Sequence, residues 1–276
     1  MQYITLHDDV RIPQLGYGVW QIPDTQAYDA VTTALETGYR HLDTASAYEN
    51  ESGVGRAVRE SGLPREDVFI TTKLWNGDHG YDTALRAFDQ SLDRLGTDYV
   101  DLYLIHWPVP EQDLYIETWR ALEKIAADGR ARAIGVSNFT AENLDRLLRE
   151  GTTRPAINQI ELHPYFPQPS MRDHHRRHGI ATEAWSPLGQ GGDLLSEPLL
   201  KRLGDKYGKS PAQVVLRWHL HLGNVVIPKS ATPSRIRENF EVFDFELEPA
   251  EVEQITALGS DGGRIGPNPA VFNYVG

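Results

Sequence analysis

Eight short apolar or β-branched runs punctuate the chain: LGYGVW, YRHLDT, VFITTKLW, YVDLYLIHW, ARAIGVSN, AINQIELH, IATEAWS and NVVIPKS. Between them lie stretches with helical period. In TALRAFDQSLDRLG, Leu85, Phe88, Leu92 and Leu95 share one face and Gly96 supplies the stop. Strand and helix therefore alternate, which implies parallel strands joined by crossover helices, because parallel neighbours are too far apart in sequence for a tight turn. Eight such units, with strands apolar enough to be covered on both faces, imply a closed (β/α)8 TIM barrel; an open doubly wound sheet is the alternative. The opening YITLHDDVRIP alternates about an Asp8–Asp9 turn and reads as an extra N-terminal β-hairpin before the first barrel strand, placed to plug the barrel floor. No linker, low-complexity tract or charge block divides the 276 residues, so one domain over residues 1–276 is expected. The Gly- and Pro-rich tail from Ser260 to Gly276 reads as a C-terminal loop, with residues 262–273 folding over the barrel mouth and helping to choose substrates.

Composition removes several function classes. With 27 basic and 39 acidic residues the net charge is −12, so a phosphate backbone would meet repulsion over most of the surface and nucleic acid is not an expected partner. Zero cysteines exclude disulfides, thiol nucleophiles, iron–sulfur clusters and Cys-ligated zinc, and fit a reducing compartment. The start, MQYITLHDDV, lacks a cationic segment followed by an apolar one. No apolar run approaches the roughly 18 residues of a membrane helix. A soluble, cytoplasmic, monomeric protein with no membrane partner is the expectation.

Reactive groups in such barrels sit where strands end and βα loops begin. The second run ends at Asp43 with Tyr48 in the loop beyond, the third reaches Lys73, and the fourth ends at His106. Four polar groups thus converge on one rim. A free phenol has a pKa of about 10, and a nearby ammonium would stabilise its phenolate and lower that value. Asp43 would hold Lys73 in place and keep it charged, Tyr48 would deliver a proton, and His106 would orient a substrate oxygen by a hydrogen bond.

The motifs GYGVW, HLDTASAYENE, TKLW, LIHWP, GVSNF, NQIELHP, AWSPLGQG and IPKSATPSRIREN, in this order and spacing, resemble those of the aldo-keto reductases over essentially the whole chain. AWSPLGQG and the short tail are most similar to bacterial members of the 2,5-diketo-D-gluconate reductase type. The family's catalytic tetrad falls on Asp43, Tyr48, Lys73 and His106. The resemblance implies NADPH-dependent reduction of a carbonyl (an aldehyde, α-dicarbonyl or keto-sugar) to an alcohol. It also implies cofactor contacts: Ser137, Asn138 and Gln159 at the carboxamide, Trp185 stacked on the nicotinamide in place of the family's commoner tyrosine, and Ser186, Pro187, Leu188, Gln190 and Gly191 along the pyrophosphate. Lys229, Ser230 and Arg235 would take the 2′-phosphate, with Glu238 and Asn239 at the adenine. Two cations and a hydroxyl in an acidic chain suit a dianion, which favours NADPH over NADH. Trp20, Trp75 and Trp107 follow three strand ends and would form an aromatic substrate wall, with Ala45 and Gln190 nearby by resemblance; plain packing is their other reading.

Competing patterns are weaker. Gly16 and Gly18 begin a dinucleotide fingerprint, but its third glycine would fall on Gln21. YGKS at Tyr207–Ser210 hints at a phosphate loop whose first glycine would fall on Leu203; Ser210, Pro211 and Gln213 read instead as an N-cap, N1 and N3. His174 and His178 have the i, i+4 spacing of helical metal ligands, but HHRRH has no carboxylate partner and has two arginines that would repel a cation, so a solvated helix face and no metal are expected. Two rival functions remain: a Schiff-base lyase using Lys73, and an NADPH-binding redox-sensing or regulatory subunit with little turnover.

Overall fold

The computed structural model describes residues 1–7, 9–260 and 262–276. Strands β1 (Tyr3–Thr5) and β2 (Arg11–Pro13) pair antiparallel. This is the expected hairpin, although Asp8, half of its turn, lies outside the described residues. Eight strands follow: β3 (Tyr17–Gly18), β4 (His41–Asp43), β5 (Phe69–Leu74), β6 (Val100–Ile105), β7 (Ala131–Ser137), β8 (Ile157–Glu161), β9 (Ala181–Trp185) and β10 (Val225–Val226). Each pairs parallel with the next in chain order. Parallel bridges Leu15–Val226 and Gly18–Lys229 join the first strand region to the last, closing the barrel. The two early glycines serve this closure. A Cβ on Gly18 would stand 3.2 Å from the Ile227 carbonyl oxygen, and one on Gly16 only 2.5 Å from the His41 ring.

The strands' alternation separates two cores. Phe69, Leu102, Leu104, Ala133, Ile157 and Val225 point into the barrel, where Leu6, Val10 and Ile12 of the hairpin region pack on them and seal the floor. Ile70, Leu74, Tyr103, Ile105, Ile134 and Val136 point outward onto the helices. The helices are α1 (Asp24–Thr37), α2 (Glu51–Glu60), α3 (Tyr81–Leu95), α4 (Tyr115–Ala127), α5 (Ala141–Glu150), α6 (Pro169–His178), α7 (Pro198–Tyr207), α8 (Pro211–His221), α9 (Pro233–Phe240) and α10 (Pro249–Thr256). In α3 the buried face includes Phe88, Leu92 and Leu95 with Ala84 and Ala87, and Gly96 ends the helix in the left-handed region at φ 64°. Ser210 caps α8 as read from the sequence: its hydroxyl accepts from the Gln213 amide while the Gln213 side chain accepts from the Ser210 amide, with Pro211 at the first helical position. Residues 262–276 form no helix or strand.

Candidate active site

Toward the C-terminal ends of the strands the barrel interior turns polar: His41, Asp43, Thr71, Lys73, Gln159 and Glu183 are all buried. Lys73 lies inside β5, every residue of which is buried, so its ammonium needs oxygens around it. It donates to Asp43 Oδ1 at 2.6 Å, to the Thr44 carbonyl at 2.9 Å and to the Tyr48 hydroxyl at 3.4 Å. Gln159 donates to the other Asp43 oxygen at 2.8 Å.

Tyr48 ends a short 3-10 turn, Ser46–Tyr48, that Glu49 terminates in the left-handed region at φ 55°. Side chains pin this turn to the barrel. Ser46 Oγ donates to the Lys73 carbonyl at 2.9 Å. Buried Asn50 donates to the carbonyls of Val19 and Ile22 at 2.9 and 2.8 Å and accepts from Thr44 Oγ1 at 2.7 Å. Thr44 and Asn50, conspicuous in HLDTASAYENE but assigned no role from the sequence, are therefore what positions the tyrosine. His106 follows β6, its amide bonded to the Leu74 carbonyl. Its ring meets Tyr48 edge-on at 5.7 Å and Trp75 at 5.2 Å.

The electrostatics differ from expectation at one point. Burial raises the Tyr48 phenol above its ordinary value, and Lys73 only partly offsets this. The phenol thus stays protonated rather than becoming acidic in the resting site, because burial, helped by the Asp43 carboxylate, outweighs the ammonium. Burial penalises the Lys73 ammonium, yet Asp43 and Tyr48 outweigh burial and the net shift is upward. Burial, helped by Lys73, holds His106 well below the ordinary imidazole value, so it is neutral.

These groups face a cleft of about 1670 Å³ along the barrel mouth. Asp43, Tyr48 and His106 line it, as do Trp20, Trp75 and Trp107; Lys73 sits beneath, and Ala45 is fully buried rather than facing the cleft. Further along it stand Ser137, Asn138, Gln159, Trp185 to Leu188, Gln190 and Gly191, then Lys229, Ser230, Arg235, Glu238 and Asn239. The structure thus brings together every residue expected at the cofactor. Asn138 accepts from Trp185 Nε1 at 2.8 Å and donates to the His106 carbonyl at 3.0 Å, tying the indole to the rim that carries His106. Lys229 and Arg235 are exposed, and among the described residues neither pairs with a carboxylate.

The tail reaches the mouth and extends past the expected end at Asn273. Ile265, Gly266, Pro267 and Tyr274 line the cleft. Glu161 clasps it, its two oxygens accepting the amides of Ile265 and Gly266 at 2.7 and 2.8 Å. Gly266 must be glycine there, since a Cβ would stand 2.4 Å from the Trp185 ring. Asn76 donates to the Tyr274 carbonyl at 2.7 Å, and Phe272 packs on Trp107 with ring centres 4.4 Å apart. Away from the mouth, the His174–His178 reading requires correction: His174 is 8% exposed rather than solvated, and a carboxylate partner, Asp145, comes from α5.

The sequence profile of the Aldo/keto reductase family matches residues 14–260. An aldo-keto reductase of Mycolicibacterium smegmatis is 55% identical over 273 residues, covering 99% of this chain and 98% of that one. Glyoxal reductase of Bacillus subtilis is 49% identical over 267 residues, covering 96% and 95%. The crystal structure of a point mutant of Gox0644 in complex with NADPH superposes with a TM-score of 0.95 at 43% identity, covering 99% of both chains. A barrel with this rim, matched in sequence along nearly all its length, is an oxidoreductase that belongs to the aldo/keto reductase family.

Proposed function

We propose that this protein reduces a small aldehyde, α-dicarbonyl or keto-sugar to the alcohol with NADPH, Tyr48 being the general acid. The observation that carries the reading is the buried Lys73 ammonium, bonded at once to Asp43 and Tyr48 beneath a cleft that neutral His106 shares. The cofactor reading rests on the far end of that cleft. Among the described residues Lys229 and Arg235 pair with no carboxylate there, and the N-terminus of α9 has no side-chain cap, so its first amides are open to an anion. Those groups fit a 2′-phosphate, Trp185 offers an aromatic face to the nicotinamide, and Ser137, Asn138 and Gln159 offer amide-scale polar contacts. Ser186 to Leu188, Gln190 and Gly191 would follow the pyrophosphate. NADPH, when bound, supplies the hydride.

The chain's own residues supply the rest. His106 donates a hydrogen bond to the carbonyl oxygen and orients it. Tyr48 passes its proton to that oxygen as negative charge develops, and Lys73 stabilises the phenolate left behind; this attraction acts mainly as the phenol ionises, where it favours the transition state over the ground state. Trp20, Trp75 and Trp107 with the tail residues wall the carbonyl's remaining bulk, and Glyoxal reductase among the relatives favours small α-dicarbonyls. A Schiff-base role for Lys73 is disfavoured, because its raised pKa and three oxygen partners keep it an ammonium.

An NADPH-oxidation screen across aldehydes, α-dicarbonyls and keto-acids tests the activity. Tyr48→Phe should keep NADPH binding and lower turnover by about 10² to 10⁴, the worth of a positioned general acid. Unchanged turnover in Tyr48→Phe would refute the mechanism, and tight NADPH binding without turnover on any carbonyl would point to the regulatory alternative.

A further inference from the structure

We propose that Asp145, His174 and His178 form a binding site for an imidazole-preferring divalent cation, Zn²⁺ in the first instance, on the outside of the barrel. His174 and His178 lie one turn apart on α6 and face the same way, their ring centres 4.6 Å apart. Asp145, from the adjacent α5, places Oδ1 3.1 Å from His174 Nε2 and 3.9 Å from His178 Nε2. One ligand atom from each residue lies within 4.8 Å of the others. Around tetrahedral zinc, with bonds of about 2.1 Å, ligand atoms stand roughly 3.4 Å apart, so small rotations of exposed side chains complete the triangle. The side chains that must rotate are free to do so, Asp145 being 48% and His178 39% exposed.

Two further observations point to a ligand. His174 Nε2 is buried and has no hydrogen bond of acceptable geometry, although the carboxylate is close by. Among the described residues Asp145 pairs with no arginine or lysine, so its carboxylate is committed only to these two rings. The exposed side leaves room for water as a fourth ligand.

Arg149, Arg154 and Arg177 line the same surface hollow as Asp145 and His178. Their charge opposes hard cations bound by electrostatics alone and so selects against Ca²⁺ and Mg²⁺, whereas Zn²⁺ gains from bonding to two imidazoles. None of the three proposed ligands lines the active-site cleft. The site would tie α5 to α6 and act on stability rather than on turnover.

Tag-free protein titrated with Zn²⁺ by calorimetry should bind one equivalent, and its thermal midpoint should rise with Zn²⁺ concentration. His178→Ala and Asp145→Asn, both at exposed positions, should each weaken Zn²⁺ at least about tenfold and abolish the thermal shift. Cu²⁺ loaded in place of Zn²⁺ should show two nitrogen ligands in its EPR spectrum. No saturable Zn²⁺ binding, or the same affinity in wild type and both variants, would overturn the site.

Discussion

Lys73 is a charge on the inside of a strand, and it persists because Asp43, Thr44 and Tyr48 supply its three acceptors. Its neighbour Glu183 has no such set. Among the described residues neither carboxyl oxygen has a hydrogen bond of good geometry, and burial, with the Asp43 carboxylate, pushes its pKa up from 4.5 to about 8 against the weaker pull of Gln159 and Lys73. His41, 3.7 Å away, is pushed down to about 3 by burial, so the two face each other as neutral groups at pH 7 rather than as an ion pair. This has a thermodynamic consequence. Between 4.5 and about 8 the unfolded chain has lost the Glu183 proton while the folded chain retains it, so stability falls as pH rises through that window. Glu183→Gln removes the titration. The variant should gain stability relative to wild type as pH rises from 4.5 toward 8, levelling off above; urea unfolding across that range measures it. A difference that does not change with pH would mean Glu183 is already ionised in the fold.

At the scale of elements, one carboxylate holds the tail against the barrel mouth. Burial raises the Glu161 carboxyl, but hydrogen bonds from His163 and from the Ile265 and Gly266 amides outweigh it, and the net pKa lies below 4.5. A depressed carboxyl stabilises the folded arrangement fully above its unfolded pKa and loses that contribution as pH falls through the folded one, so the clasp holds at neutral pH and weakens in acid below about 4.5. Hydrogen bonds to a charged acceptor are worth about 1.5 to 3 kcal/mol each. Glu161→Ala should therefore speed amide exchange over residues 262–276 and trypsin cleavage after Arg264 by at least about tenfold, leaving barrel strands protected. The same variant should re-rank carbonyl substrates by kcat/KM. Wild-type exchange rates in the tail would show that the Phe272 and Tyr274 ring contacts suffice to hold it.

For the whole molecule, a net charge of −12 sets a field that a phosphorylated cofactor must enter. Lys229 and Arg235, exposed at the far end of the cleft and without a carboxylate partner among the described residues, reverse that field locally. Arg235→Ala should weaken NADPH about tenfold to a hundredfold and leave NADH nearly unchanged, the worth of one charge-assisted contact. Added salt should act in the same direction, more weakly. Tryptophan fluorescence reads both titrations, since Trp185 lines the cleft. Equal losses for both cofactors would make Arg235 a structural residue and withdraw the 2′-phosphate from this loop.

The barrel and most of its rim were legible in the linear order because strand alternation, helix stops and strand-end polar residues are local properties. The eight runs became eight parallel strands, and Asp43, Tyr48 and His106 met at one cleft above Lys73, since each closes or follows a strand and closure brings strand ends together. What the tertiary structure alone decided depends on groups distant in sequence. The Tyr48 pKa moved up rather than down because burial, a property of packing, outweighed the Lys73 ammonium beside it. The tail's clasp needed Glu161, over 100 residues before Ile265, and the carboxylate beside His174 came from another helix. Spacing along a chain reports which groups share an element; burial and contacts between elements arise only when the chain folds.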